Sequence, residues 1–253
     1  MGEYIIHMNK EGILQFIINR PEKRNAVNYE IMEGLEKALN ECMYNDHVKA
    51  LLITGSGDHA FCSGGDLTQF HNLKTESESY EMLSKMGGLI TRLAFLPKPT
   101  IAFINGTAIG GGCEIATACD FRIAKRTAKM GFVQGNLAIT TGWGGGTLLF
   151  ERVSVSNALS LLMTARVEEA EFLHDIGFVD ELVDDIVPIR EIPLIKMISL
   201  KSEGVLKAYK QQLLERWNKK RVEENILKEI RQCAKLWASD EHHEAVDKFL
   251  KNR

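Results

Sequence analysis

Between Lys98 and Glu114 an apolar run, Thr100-Ile101-Ala102-Phe103-Ile104, passes through Asn105-Gly106-Thr107-Ala108-Ile109 into Gly110-Gly111-Gly112 and then Cys113-Glu114. Where a helix begins at such glycines, its first N–H groups have no intrahelical acceptor and carry partial positive charge, so they can hold an anion. The absence of Cβ atoms lets a substrate approach that backbone. Glu114 falls one helical turn beyond Gly111. A polarised oxygen next to a carboxylate points to enolate chemistry.

The other chemistry-bearing patterns are weaker. Gly55-Ser56-Gly57-Asp58-His59-Ala60 formally fits a dinucleotide fingerprint. That fingerprint needs a helix to start there, whereas Phe61-Cys62-Ser63-Gly64-Gly65-Asp66 inserts another turn. No glycine run ends in the Lys-Ser/Thr pair of a phosphate-binding P-loop, and no G-x-S-x-G elbow presents a nucleophilic serine. His59, Cys62, Asp66 and His71 match no closed zinc spacing and read as isolated polar loop residues, with Asp66 as a helix cap ahead of Leu67-Thr68. The remaining histidines, including His242-His243 in a charged helix, read as solvated.

A chain of 253 residues, 45% hydrophobic and 26% charged, has the composition of an ordinary globular protein with one substantial core. A formal net charge of −3 gives no general attraction to nucleic acid. The start, Met1-Gly2-Glu3-Tyr4, lacks a basic region followed by an apolar run, and no segment is apolar enough to span a bilayer, which suggests a cytoplasmic protein with no membrane partner. Five scattered cysteines without a C-x-x-C pair fit reduced, mostly buried thiols.

The elements that must position these groups follow from periodicity. Tyr4 to Met8 and Ile13 to Ile18 read as strands of an opening meander, joined at Asn9-Lys10-Glu11-Gly12. Asn28 caps a helix with apolar Ile31, Met32, Leu35 and Leu39, and Val48 to Thr54 reads as a buried strand. A long helix over about Glu76 to Phe95 stops before Pro97 and Pro99 and leads into the strand at Thr100. Asp120 to Ala124 and Phe178 to Val183 complete the strands, with helical runs near Leu148 and from Ser156 to Met163. Alternating strands and helices imply an α/β protein with a largely parallel sheet. From Pro193 onward the pattern is almost wholly helical, and Trp217 and Trp237 read as core or subunit-contact residues.

Asn19-Arg20-Pro21-Glu22-Lys23-Arg24-Asn25-Ala26, Ala60 through Leu67, and Asn105 through Glu114 together resemble the crotonase family, the enoyl-CoA hydratase/isomerases, over essentially the whole chain. Cys119-Asp120-Phe121-Arg122-Ile123-Ala124 and Gly177 through Val183 match in order as well. The resemblance implies a ClpP/crotonase-like ββα spiral core over residues 1–192, a helical C-terminal segment over 193–253 involved in oligomerisation, and a homotrimer or dimer of trimers. It implies that the amides of Gly65 and Gly111 form an oxyanion hole around a coenzyme A thioester carbonyl, with Glu114 as the water-activating acid of hydratases. It places Lys23, Arg24, Ala26, Ser63 and Asp66 along the coenzyme A side of the substrate, where Lys and Arg suit phosphates. It offers Lys248, Phe249 and Lys251 of the final helix as further contacts, with Asn252 at the usual lysine position. It requires no metal or redox cofactor, coenzyme A being part of the substrate.

The chain departs from the hydratase pattern at one place. The second glutamate of hydratases falls within Phe132-Val133-Gln134-Gly135-Asn136-Leu137, where the alignment places Gly135 and no acid is present. Asn136 can orient a water but cannot exchange a proton as a carboxylate does. Gly131-Phe132-Val133 and Gly142-Trp143-Gly144-Gly145-Gly146-Thr147 are more similar to alkylmalonyl-CoA decarboxylases of the family, with Trp143 shaping an apolar acyl pocket or simply packing. The family-wide expectation is hydration of a 2-enoyl-CoA. The alternative is decarboxylation of a branched malonyl-CoA such as ethylmalonyl-CoA or methylmalonyl-CoA, and a reading from another class is a noncatalytic module that binds coenzyme A or RNA.

Overall fold

The computed structural model describes residues 2–184 and 187–251. Among the described residues, ten strands form two sheets. β1 (Tyr4–Met8), β2 (Ile13–Ile18), β3 (Ala50–Gly55), β5 (Thr100–Ile104), β7 (Phe121–Lys125) and β10 (Glu181–Val183) make a six-stranded sheet in that order, while β4 (Ala60–Cys62), β6 (Thr107–Ile109), β8 (Lys129–Gly131) and β9 (Glu168–Glu169) make a smaller one. β1 and β2 form the expected antiparallel hairpin, but the meander stops there: β2, β3, β5, β7 and β10 run parallel.

Parallel strands need crossovers, and the helices supply them. α1 (Tyr29–Tyr44) joins β2 to β3 and starts at Asn28, whose side chain accepts from the Ile31 N–H. After β4 come a short α2 (Leu67–Phe70) and the long α3 (Glu76–Ala94), which opens on a Thr75/Glu78 capping box and ends ahead of Pro97. α4 (Gly111–Ala118) follows β6. α5 (Gly145–Leu149), α6 (Val155–Thr164) and α7 (Ala170–Asp175) precede β10, and α8 (Pro193–Ser199), α9 (Glu203–Arg216), α10 (Lys219–Trp237) and α11 (Asp240–Lys251) close the chain.

At its centre the large sheet is buried on both faces, which is why β3 reads as an unbroken apolar run. Leu51 and Ile53 face one cluster with Phe16, Ile104 and α1, whereas Ala50 and Leu52 face a second with Ile13, Ile101, Phe103 and Ile195 of α8. Segments past residue 192 enter both clusters: Val222, Ile226, Ile230, Cys233 and Trp237 pack with Met82, Leu83 and Met86 of α3. The Gly87 Cα admits this approach, since a Cβ there would stand 2.5 Å from Ile230 Cδ1.

The strands repeat a pattern with one consequence for function. β3 hands over to β4, β5 to β6 and β7 to β8, each time from the large sheet to the small one. β4 and β6 lie side by side and parallel, with Cys62 opposite Ala108. Three residues past those partners come Gly65 and Gly111, so the register carries two glycine turns to the same level of adjacent strands.

Candidate active site

The two turns meet. Gly64 has φ +91° and Gly110 φ +56°, both in the region that favours glycine, and a Cβ on Gly64 would stand 3.2 Å from the Gly111 nitrogen. Val27 locks the first turn, donating to the Gly64 carbonyl at 2.8 Å and accepting from the Asp66 N–H at 2.8 Å. The second is locked by the Gly110 N–H on the Gly131 carbonyl at 2.8 Å. Among the described residues, no acceptor takes the Gly65 or the Gly111 N–H. Two backbone donors on adjacent turns are thereby left for something other than the protein.

Protein atoms fill part of the space that glycine leaves. A Cβ on Gly111 would lie 2.1 Å from Trp143 Cζ3, and one on Gly65 would lie 3.7 Å from Trp143 Cζ2 and 3.0 Å from Phe70 Cδ2. The indole of Trp143, 4% exposed, therefore lies across both turns and forms an apolar wall beside the free donors. Gly112 is glycine for another reason, because a Cβ there would run into the Cys62 carbonyl at 2.1 Å.

Glu114 is buried, and its carboxylate is not aimed at open space. Oε1 accepts from Gln134 Nε2 at 3.0 Å and the Gly142 N–H at 3.4 Å, while Oε2 accepts from the Trp143 N–H at 2.8 Å and the Gly145 N–H at 2.9 Å. Four donors occupy about the four lone-pair positions that a carboxylate has. Burial, followed by the charge of Glu229, pushes its pKa up to about 7.

Glu229 of α10 escaped the sequence reading. It holds the other side of the same turn: Oε1 accepts from the Gly144 N–H at 3.1 Å and the Gly146 N–H at 3.2 Å, and Oε2 from the Thr147 N–H at 2.7 Å and the Thr147 hydroxyl at 2.6 Å. Its pKa is raised as well, by burial. A signal was available, because Glu229 stands three residues after Ile226 and four before Cys233, on the edge of the apolar stripe of α10. An acid on a buried stripe must be matched by donors.

The expected substrate-binding residues divide into two groups. Lys23, Arg24, Ala26 and Ser63 come together: the Ser63 N–H donates to the Arg24 carbonyl at 3.1 Å, and the Ala26 N–H to the Lys23 carbonyl at 3.1 Å. Asn25, left-handed at φ +56°, pins this turn from inside by donating to the carbonyls of Ser56 and Ala60. Lys23 and Arg24 stay exposed. Asp66 is buried, caps α2 through Thr68 and pairs with Arg20 at 2.8 Å, so its charge is spent inside the protein. Lys248, Phe249 and Lys251 lie exposed on α11, away from that helix's anchor at His242, and Asn252 lies outside the described residues. Asn136 donates to the Ala165 carbonyl at 2.9 Å.

Several sequence expectations change. His242 is buried, bonds to the Leu137 carbonyl at 2.7 Å and lies 4.8 Å from the Trp237 ring, tilted 46° to it, because the amphipathic face of α11 turns it inward rather than into solvent. Cys62 is a buried strand residue rather than a polar loop residue, whereas Asp66 caps α2 as the sequence suggested, and the described residues hold no metal-binding cluster. After Gly55 the chain turns into β4, not into the helix that a dinucleotide site requires. All five cysteines are free and buried. No helix among the described residues is long and apolar enough to cross a membrane.

The repeated strand hand-over and the paired glycine turns are those of the crotonase fold, and the chain belongs to the enoyl-CoA hydratase/isomerase family, whose model matches residues 8–253. It is 34% identical to a crotonyl-CoA hydratase of Syntrophomonas wolfei over 99% of this chain and 96% of that protein. It is also 32% identical to the ethylmalonyl-CoA decarboxylase of Xenopus laevis over 72% of this chain and 60% of that one. Among solved structures, an enoyl-CoA hydratase of Mycobacterium avium subsp. paratuberculosis superposes with a TM-score of 0.88 at 20% identity, covering 100% of this chain and 97% of the other, a likeness of fold.

Proposed function

We propose that the protein is a lyase acting on a coenzyme A thioester, and that it forms the thioester enolate by releasing carbon dioxide from a short branched malonyl-CoA such as ethylmalonyl-CoA or methylmalonyl-CoA. In this reading the Gly65 and Gly111 N–H groups receive the thioester oxygen. The bond between the α-carbon and the carboxylate breaks, its electron pair passes into the thioester to give the enolate, carbon dioxide leaves, and the α-carbon then takes a proton from water. Preorganised donors aimed at the developing oxyanion are worth about 3 kcal/mol each. No metal or redox partner is needed, since the electrons remain in the substrate. Lys23 and Arg24 meet the phosphates of coenzyme A and Trp143 walls the acyl group.

The observation that carries this choice is the saturation of Glu114. A carboxylate whose acceptor positions are all taken by Gln134, Gly142, Trp143 and Gly145 has none left to activate a water, and the Phe132 to Leu137 segment offers no second acid. Decarboxylation requires neither. Hydration is the second reading, favoured by the identity to a crotonyl-CoA hydratase along nearly the whole chain. A homotrimer or dimer of trimers in the cytoplasm completes the proposal, and free buried thiols suit a reducing compartment.

Turnover of ethylmalonyl-CoA, methylmalonyl-CoA and crotonyl-CoA by the purified protein separates the readings. Release of carbon dioxide with little crotonyl-CoA hydration is the expected result, and the reverse ratio overturns it.

A further inference from the structure

The turn from Gly142 to Thr147 is held from both sides by carboxylates, and its N–H groups are divided between them. Those of Gly142, Trp143 and Gly145 go to Glu114, and those of Gly144, Gly146 and Thr147 go to Glu229. A glycine-rich turn is costly to order, because glycine loses the most backbone freedom on folding. Here each consecutive peptide is fixed by a charge-assisted bond, about twice as strong as a neutral one.

We infer that Glu229 is a positioning residue: through the Gly144–Thr147 peptides it fixes the turn that holds the Trp143 ring against Gly65 and Gly111 and the Glu114 carboxylate behind it. Removing Glu229 leaves three N–H groups and one hydroxyl unpaired on one side of the turn. The cheapest relaxation is for those groups to rotate toward water, because the face of the turn next to Glu229 borders a cavity of about 490 Å³ lined by Thr140, Phe150, Leu162 and Asn225. Rotation of Gly144 and Gly146 moves their neighbours Trp143 and Gly145, which belong to Glu114. The charged and titratable groups around Glu229 are Glu114 across the turn, the Arg221–Glu151 ion pair at the same cavity, and the Cys233 thiol.

The inference rests on the proposed reaction for its kinetic arm, and a second arm stands without it. In full-length protein, Glu229→Ala is expected to lower kcat on the thioester that the wild type turns over by about tenfold or more while KM changes less than about twofold, since Lys23 and Arg24 lie elsewhere. Glu229→Asp, which keeps the charge, should recover part of the loss. Glu229→Gln should lower the pH at which the Glu114 proton is lost, read from the pH dependence of urea unfolding rather than from activity, because a neighbouring negative charge is gone. Hydrogen exchange of the Gly144–Thr147 amides should speed up in Glu229→Gln and Glu229→Ala, with exchange in β3 and β5 unchanged. Wild-type turnover with unaltered kcat in Glu229→Ala overturns the inference, as does loss of kcat and KM together with no recovery in Glu229→Asp. If the wild type turns over no thioester, the proposed reaction fails, and hydrogen exchange decides the positioning role alone: unchanged rates at 144–147 refute it. If Glu229→Ala does not fold, Glu229→Gln carries both readouts.

Discussion

Replacing Glu114 by glutamine tests the electrostatics of the site most directly. The Glu114 carboxyl has its pKa raised from 4.5 to about 7 by burial and by Glu229. The folded state therefore holds the proton more tightly than the unfolded chain. This contribution to stability is fully present below the unfolded pKa of 4.5 and is lost as pH rises through about 7. A rise of that size corresponds to roughly 3 kcal/mol across the window. Glutamine cannot ionise, so Glu114→Gln lacks this dependence.

Glutamine also fits the site at small cost. Its amide N–H₂ can face Gln134, whose buried Oε1 has no partner in the wild type and becomes the acceptor once that side chain flips. The bond given up is the 3.4 Å contact to the Gly142 N–H, the longest of the four. Urea unfolding of both proteins at pH 5 and pH 8 measures the effect. Wild type and variant should be close at pH 5, with the variant gaining by an amount of order 3 kcal/mol relative to wild type at pH 8. A stability difference that does not change with pH would refute the argument that burial and Glu229 raise the Glu114 pKa. Activity completes the test: if Glu114 takes no part in protonating the α-carbon, the variant keeps the wild-type rate of carbon dioxide release.

Gly111→Ala should lower kcat/KM by about a hundredfold, because its methyl needs the space of Trp143 Cζ3 and must displace either the ring or the Gly111 N–H. Adding Trp143→Phe, which removes those ring atoms, should restore stability in the double variant, and a melting temperature no higher than that of Gly111→Ala would show that the clash lies elsewhere. Lys23→Ala with Arg24→Ala should raise KM for a coenzyme A thioester about tenfold, with a weaker salt dependence and nearly unchanged kcat. Equal KM values at low salt would remove these two side chains from the phosphate site.

Local chemistry is what the sequence by itself determined. Apolar strand runs, the Asn28 cap, the prolines after α3 and the ordered glycine motifs depend on neighbours a few residues apart, and all of them are legible from one strand or one turn. The order of these motifs along the chain was enough to suggest the family. His242 and Glu229 were not legible, because charged helices carry their kind at many exposed positions and only the packing of α10 and α11 puts these two inside. The tertiary structure decided how the glycines are used. Pairing of Cys62 with Ala108 sets Gly65 and Gly111 level with each other, across a sequence separation that no periodicity can report. It likewise brought a carboxylate from α4 and one from α10 to opposite sides of a single turn, although the two stand 115 positions apart in the chain. Long-range register and burial are properties of the packed molecule, and they alone determine which lone pairs of Glu114 remain free.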